Sequence, residues 1–344
     1  MFKDLSAPAL GTIAAKGAIS AAGIKPEDVE EVYLGNVLSA DIGQSPTRQV
    51  VLAAGLPNST EATTINKVCS SGLKSITLAS QSIQLGHRDV MLVGGMESMS
   101  RVPYYMPRVN PSFGHVQATD GLIKDGLWDV YNDFHMGNCA ENAAVKLSIT
   151  REDQDGHAIE SYKRAARAYE TKAFEKEIVP VSIKDRKGKE TIIAEDEEYK
   201  KVIFEKVPGL KPSFKKDGTV TAANASNLND GASALVLMSA KKAQELGIKP
   251  LARIVCKFHP VFGVPLPRVD VFVLFWCFVA YADAALAPID FPLAPSVSLP
   301  IAVEKAGLKL EDISAFEINE AFSAVIRSIE KILKLDPAKV NPNG

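Results

Sequence analysis

Ala22-Gly23-Ile24-Lys25-Pro26-Glu27-Asp28-Val29 recurs near the other end of the chain as Ala306-Gly307-Leu308-Lys309-Leu310-Glu311-Asp312-Ile313. In each copy a helical run ends at a glycine that reads as a C-cap, and a charged loop leads into an apolar segment. Those segments are Val32-Tyr33-Leu34-Gly35-Asn36 and Phe316-Glu317-Ile318-Asn319-Glu320. The spacing is far too long for a solenoid repeat, so it predicts a duplicated α/β half-fold. Around the first copy, helix and strand signals alternate. Ala7 to Ala22 reads as a helix, Glu31 to Val37 as a strand, Gln49 to Ala54 as a helix, and Asp89 to Val93 as a strand stopped by Gly94-Gly95. That alternation argues for a layered α/β domain.

Between these elements lies Asn66-Lys67-Val68-Cys69-Ser70-Ser71-Gly72. The β-branched run Ala62 to Val68 reads as a strand, and Leu73, Ile76, Ala79 and Ile83 fall near helical spacing after it. A cysteine at such a junction points at the orphan N–H groups of a helix, which favour thiolate and hence a nucleophile. The alternative is a small buried hydrophobe.

Composition sets the class. With 344 residues, 46% hydrophobic and 23% charged, the chain has ordinary globular make-up and room for two domains. A net charge of -2 gives no overall attraction to nucleic acid or anionic membrane, so an anionic ligand must meet a local cationic surface. The four cysteines, at 69, 139, 256 and 277, form no CxxC pair and indicate neither zinc nor a disulfide framework. They fit a reducing compartment. No secretory or Arg-rich leader pattern opens the chain.

From about Tyr104 to Thr219 the texture changes: basic residues crowd Ser161 to Lys189, and Glu195-Asp196-Glu197-Glu198 follows. Solvated faces and a cationic surface for a phosphorylated ligand both fit. Residues 220–239 read as a small-residue loop, with Asn229-Asp230-Gly231-Ala232 in it, feeding Ala234 to Met238. Close approach to a ligand and tight packing explain it equally well.

Five segments in order resemble the thiolases: Asn66-Lys67-Val68-Cys69 with Ser71-Gly72, Gly94 to Ser100, His135-Met136-Gly137 with Ala140-Glu141-Asn142, Thr221 to Ser226 with Asn229 to Ala232, and Asn319-Glu320-Ala321-Phe322. Asp196 to Lys200 and Ile289-Asp290-Phe291-Pro292 resemble the mitochondrial acetoacetyl-CoA branch, where the Phe-Pro pair accompanies tolerance of a 2-methyl substrate. The resemblance implies an α/β fold of duplicated layered α/β/α halves with an inserted loop domain. Residues 1–240 would form the N-terminal half, with the insertion at about 104–219, and 250–344 the C-terminal half.

It further implies an acetyl-CoA C-acetyltransferase acting on acetyl-CoA, acetoacetyl-CoA and CoA, without a covalent cofactor, as a mitochondrial homotetramer. Cys69 matches the nucleophile, its backbone N–H helping to hold the oxyanion. Asn319 matches the asparagine that fixes a water facing the enolate oxygen. For coenzyme A the family pattern falls on Tyr162, Lys201, Val202, Ile203, Lys206 and Ser226, with His135 and Met136 near the pantetheine and acyl end. The family's Arg-Val-Asp at the adenine reads Lys201-Val202-Ile203 here, losing a planar guanidinium and a carboxylate. A potassium site falls on Tyr162 and the carbonyls of Ala222, Ala223 and Ala225.

Three departures stand beside these matches. The family's Gly-His-Pro histidine and Cys-x-Gly cysteine have no counterpart in the 344 residues, its opening strand precedes the match at Phe2 to Leu10, and 256–279 has no family equivalent. Joining Val255 to Ala280 restores the expected run, so the segment is expected to interrupt a strand. Its apolar part, Val271 to Ala282, is too short to span a membrane. A non-catalytic CoA- or subunit-binding protein is the alternative function. A ketoacyl synthase-like condensing enzyme would use paired histidines instead of Asn-Glu-Ala-Phe.

Overall fold

A computed structural model describes residues 1–108, 113–184, 186–254, 271–273 and 280–344. The chain forms two compact units. A sheet unit comprises Phe2–Leu127 and Leu228–Tyr281, and a helical unit comprises Met1, Trp128–Asn227 and Ala282–Gly344.

The sheet unit is built on six strands: β1 (Glu31–Gly35), β2 (Glu61–Ile65), β3 (Val90–Ser98), β4 (Asp230–Ser239), β5 (Ala252–Ile254) and β6 (Val271–Val273). Their order is β5-β6-β4-β3-β1-β2. β1 runs parallel to β2 and β3, whereas β4 pairs antiparallel with β3 and β6. The period of two along β3 decides the layers. Val90 and Leu92 face a core with Ala15 and Ile19 of α1 (Ala7–Ala22) and Val50 and Val51 of α2 (Pro46–Ala54). Met91 and Val93 face the opposite core with Ile76, Ala79 and Ile83 of α3 (Ser71–Gln84). A strand segment buried on both sides is apolar at successive positions, as Val90 to Val93 are before the polar Glu97 and Ser98 at its end. Leu73, grouped with that helical face on spacing alone, is exposed.

Several boundaries need correction: β1 ends at Gly35, α2 begins at Pro46, and β2 ends at Ile65, leaving Asn66 to Val68 to the turn. Gly94-Gly95 does not stop β3, which continues to Ser98. A Cβ on Gly94 would lie 1.9 Å from the Ser233 carbonyl oxygen of β4, so glycine here permits close approach of a neighbouring strand. For the same reason Asp230, Gly231 and Ala232 belong to β4, opposite Ser98, Glu97 and Met96, and not to the preceding loop.

The helical unit packs α4 (Gly137–Leu147), α5 (Arg151–Glu170), α6 (Pro295–Ala306) and α7 (Ser323–Leu333). Its core joins Ala140, Ala144, Val220, Phe322, Val325, Ile326 and Ile329. Thr150 caps α5 in a reciprocal box with Asp153, each side chain taking the other's backbone N–H.

The internal repeat is structural. Gly23 and Gly307 end α1 and α6 in the left-handed conformation, at φ +68° and +72°. Lys25 N–H donates to Asp28 at 2.8 Å, and Lys309 N–H to Asp312 at 2.9 Å. The copies then diverge: the first enters β1, while the second makes a single parallel bridge, Phe316 to Val340. The expected insert 256–279 lies outside the described residues, apart from the backbone of β6. Among the described residues no helix is long and apolar enough to cross a membrane.

Candidate active site

Cys69 sits in a tight turn between β2 and α3. Asn66 Oδ1 accepts from Val68 N–H at 3.0 Å, Ser71 Oγ accepts from Lys67 N–H at 2.8 Å, and Ser71 N–H donates to the Val68 carbonyl at 3.1 Å. These bonds force Val68 to φ +48°, a left-handed conformation that a β-branched residue rarely adopts. Strain of this kind costs about 1–3 kcal/mol and persists only where surrounding bonds impose it.

The start of α3 rests directly on the sheet. A Cβ on Gly35 would meet Ser71 at 2.6 Å, and Gly95 leaves room for the Gly72 backbone. Ser75 Oγ accepts from Gly94 N–H at 3.0 Å, fastening the helix to β3. Behind the turn, the Glu97 carboxylate takes the N–H groups of Val37 and Leu38 and the Asn36 amide, while Asn66 donates to the Val37 carbonyl. Burial pushes the Glu97 carboxyl up, and those N–H groups work against it.

The electrostatics of Cys69 differ from the sequence expectation. The residue as a whole is exposed, yet protein atoms crowding the sulfur push its thiol above the ordinary value, and its own backbone N–H, pulling the other way, does not prevail. Cys69 precedes Ser70, the N-cap, and so is not itself a residue of the first turn of α3.

All other candidate residues belong to the helical unit. Asn319 is exposed on the loop before α7. Its neighbour Glu320 receives Ser161 Oγ at 2.6 Å and Asn341 Nδ2 at 2.6 Å, and lies 3.1 Å from His157 Nε2. Burial alone would raise the Glu320 carboxyl, but hydrogen bonds and charge from these partners hold it below its usual value.

His135 pairs with Trp128 across a two-residue ribbon, and its Nδ1 accepts from Gly137 N–H at 3.0 Å. Its ring stacks on Phe214 at 4.7 Å, and Phe214 meets Phe322 edge-on at 6.2 Å. Burial lowers the His135 pKa, favouring the neutral ring. Gly137 has no room for a Cβ against Phe214. Ser226 N–H donates to the Ala321 carbonyl, so His135, Ser226 and the Asn319 loop meet around one aromatic cluster. Phe214 escaped the sequence reading because it lies in an irregular loop with no periodicity to mark its direction. Met136 precedes α4 and caps it without a side-chain bond. Phe291 is half-buried in the turn Pro288–Leu293, which Asn142 and Lys146 of α4 tie down through Asp290.

Tyr162 of α5 has its phenol pushed up by burial and by Glu198, against a hydrogen bond with Asn227. Asn227 also donates to Glu198 at 2.9 Å, which brings the Glu198–Lys201 turn to the loop that follows Ser226. Lys201 is paired with Glu197 at 2.7 Å and Glu198 at 2.8 Å. Lys201 and the N-terminus together hold Glu197 down to about 2. The acidic run is thus a solvated face partly neutralised by exposed lysines. Val202 is half-buried, and Ile203 and Lys206 are exposed beside it. Ala222, Ala223 and Ala225 form a tight turn closed by Ala225 N–H to the Thr221 carbonyl and by Asn224 Oδ1 accepting from Thr221 N–H.

Cys69 thus stands in a strained turn on a layered α/β sheet, and the Asn-Glu-Ala-Phe segment in a loop of the helical unit; comparison with known proteins gives the family. Residues 1–241 match the model of the thiolase N-terminal domain and residues 275–344 that of the thiolase C-terminal domain. The chain belongs to the thiolase family. It is 56% identical over 341 residues to the mitochondrial acetyl-CoA acetyltransferase of Danio rerio, covering 99% of this chain and 76% of that protein. The mitochondrial acetyl-CoA acetyltransferase of Homo sapiens is 52% identical over 341 residues, covering 99% and 74%. Acat5 thiolase from Ascaris suum, solved in complex with coenzyme A, superposes with a TM-score of 0.88 at 42% identity, over 100% of this chain and 82% of that one. The thiolase fold read from the sequence is therefore borne out.

Proposed function

We propose that this protein is an acetyl-CoA C-acetyltransferase, reversibly condensing two molecules of acetyl-CoA to acetoacetyl-CoA and CoA. Identity of 52–56% to acetyl-CoA acetyltransferases over nearly the whole chain carries this reading. The Cys69 thiolate attacks the thioester carbon of acetyl-CoA, the C–S bond to CoA breaks, and CoA leaves as its thiolate. The Cys69 N–H bears part of the charge on the tetrahedral oxygen. A second acetyl-CoA gives its α-proton to a general base, one of the groups that the family places in its Gly-His-Pro and Cys-x-Gly segments. Its enolate carbon attacks the acetyl carbonyl and Cys69 departs as thiolate. Asn319, through a water, stabilises the enolate oxygen without donating its proton away. A neighbouring base would supply the activation that crowding of the sulfur opposes.

Coenzyme A would lie along Tyr162, Lys201, Val202, Ile203, Lys206 and Ser226, with His135 and Met136 toward the acyl end. Its phosphates would draw Lys201 from Glu197 and Glu198. A potassium ion would be held by the carbonyl oxygens of Ala222, Ala223 and Ala225 with Tyr162, neutral oxygen ligands of the kind that suit a hard cation. Such an ion would order the loop bearing Ser226. Mitochondrial residence, 2-methyl substrate use through Phe291 and a homotetramer are read on the same likeness. The test is turnover of acetyl-CoA beside calorimetry with CoA. Acetoacetyl-CoA formation, lost in Cys69→Ala, is expected; CoA binding with no turnover in the wild type would favour a non-catalytic binding protein instead.

A further inference from the structure

Asn319 is exposed, but both of its neighbours are fixed. On one side Ile318 N–H donates to Asn341 Oδ1 at 2.7 Å, and the Ile318 carbonyl accepts from Asn341 Nδ2 at 2.8 Å. On the other, Glu320 holds Ser161, Asn341 and His157 at once. Asn341 is itself constrained, at φ +45°, and Arg164 binds the Val340 carbonyl at 2.6 Å and the Asn341 carbonyl at 3.2 Å. His157, Ser161 and Arg164 occupy successive turns of one face of α5, a helix of 20 residues. The loop thus rests on a rigid element through one carboxylate and one amide.

We propose that Glu320 is the positioning residue for the condensation step: it locks the backbone on either side of Asn319 to α5 and Asn341, so that the Asn319 amide is aimed at the enolate oxygen before substrate arrives. The carboxylate accepts from three groups at once, and no single neutral side chain of similar size reproduces that. A carboxylate shared among three side chains is more than a surface turn requires. Support of this kind is worth about tenfold to a hundredfold in activity where it has been removed beside functional ligands. The inference rests on the enzyme reading above, and the two are separable because acetylation of Cys69 uses the Cys69 N–H and not Asn319.

The experiment compares wild type, Glu320→Ala, Glu320→Gln and the milder Ser161→Ala in the full-length enzyme. Three rates are measured: radiolabelled acetyl transfer from acetyl-CoA to Cys69, deuterium exchange at the acetyl-CoA α-carbon, and condensation. For Glu320→Ala we expect condensation kcat and α-exchange to fall at least about tenfold, with KM and Cys69 acetylation within about twofold. Glu320→Gln should recover part of the loss, since it keeps one acceptor oxygen, and Ser161→Ala should show a smaller fall of the same pattern. Unchanged condensation in Glu320→Ala would overturn the proposal. So would an equal fall of acetylation and condensation in Ser161→Ala, which marks general structural damage. Absence of Cys69 acetylation in the wild type would instead defeat the enzyme reading itself.

Discussion

At the residue scale the structure concentrates constraint around two side chains, Cys69 and Asn319. Val68 is the sharpest local departure, since its positive φ is imposed by the Asn66, Ser70 and Ser71 bonds. Val68→Gly removes that strain and should stabilise the fold by about 1 kcal/mol in denaturant melts, while lowering the rate of Cys69 acetylation because the turn loses its single conformation. Gly94→Ala should do the reverse. Its Cβ would strike the Ser233 backbone, so loss of about 3 kcal/mol or more is expected in the same melts, seen as a fall in soluble, cooperatively unfolding protein. The motif residues around Cys69 were legible in sequence because small residues and a β-branched run betray a strand-turn-helix unit. The ionisation of Cys69 was not, because it depends on how far folding buries the sulfur, which no local pattern records.

At the element scale the repeat offers a matched pair of tests. Gly23 and Gly307 both terminate helices at positive φ, so Gly23→Ala and Gly307→Ala should each cost about 1 kcal/mol, measurable as equal shifts in urea midpoint. Thr150→Ala should cost a similar amount by opening the capping box that starts α5. These elements were readable because glycine after a helical run and Lys-x-x-Asp loops have local causes. Helix Ala7–Ala22 was placed at its observed ends from such signals alone. The end of β3 was misplaced because its glycines answer to strand β4, which lies more than a hundred residues away in sequence and leaves no local mark. Residues His157, Asn341 and Phe214 stayed hidden for the same reason: their roles arise only from what the fold sets against them.

At the scale of the whole molecule, charge and pH connect stability to the site. Glu320 has its carboxyl held below the unfolded value, so it contributes stability above the ordinary glutamate range, and that stability is lost as pH falls through its depressed value. Acid denaturation of the wild type should therefore steepen below the ordinary range, and Glu320→Gln should flatten that limb. An unchanged acid limb in the variant would mean the Glu320 network adds nothing to folding. The duplicated plan was visible from one eight-residue repeat, whereas the partition of contacts into a sheet unit and a helical unit was not. That partition assigns Trp128–Asn227 and Ala282–Gly344 to the same body, a pairing no local signal announces.

The most direct test of the central claim is to incubate the full-length protein with radiolabelled acetyl-CoA, quench it in acid, and locate the label by peptide mass spectrometry. The account predicts one acetyl thioester, on Cys69, discharged by added CoA and absent from Cys69→Ala. Label that settles on another residue, or persists at wild-type level in Cys69→Ala, would contradict it.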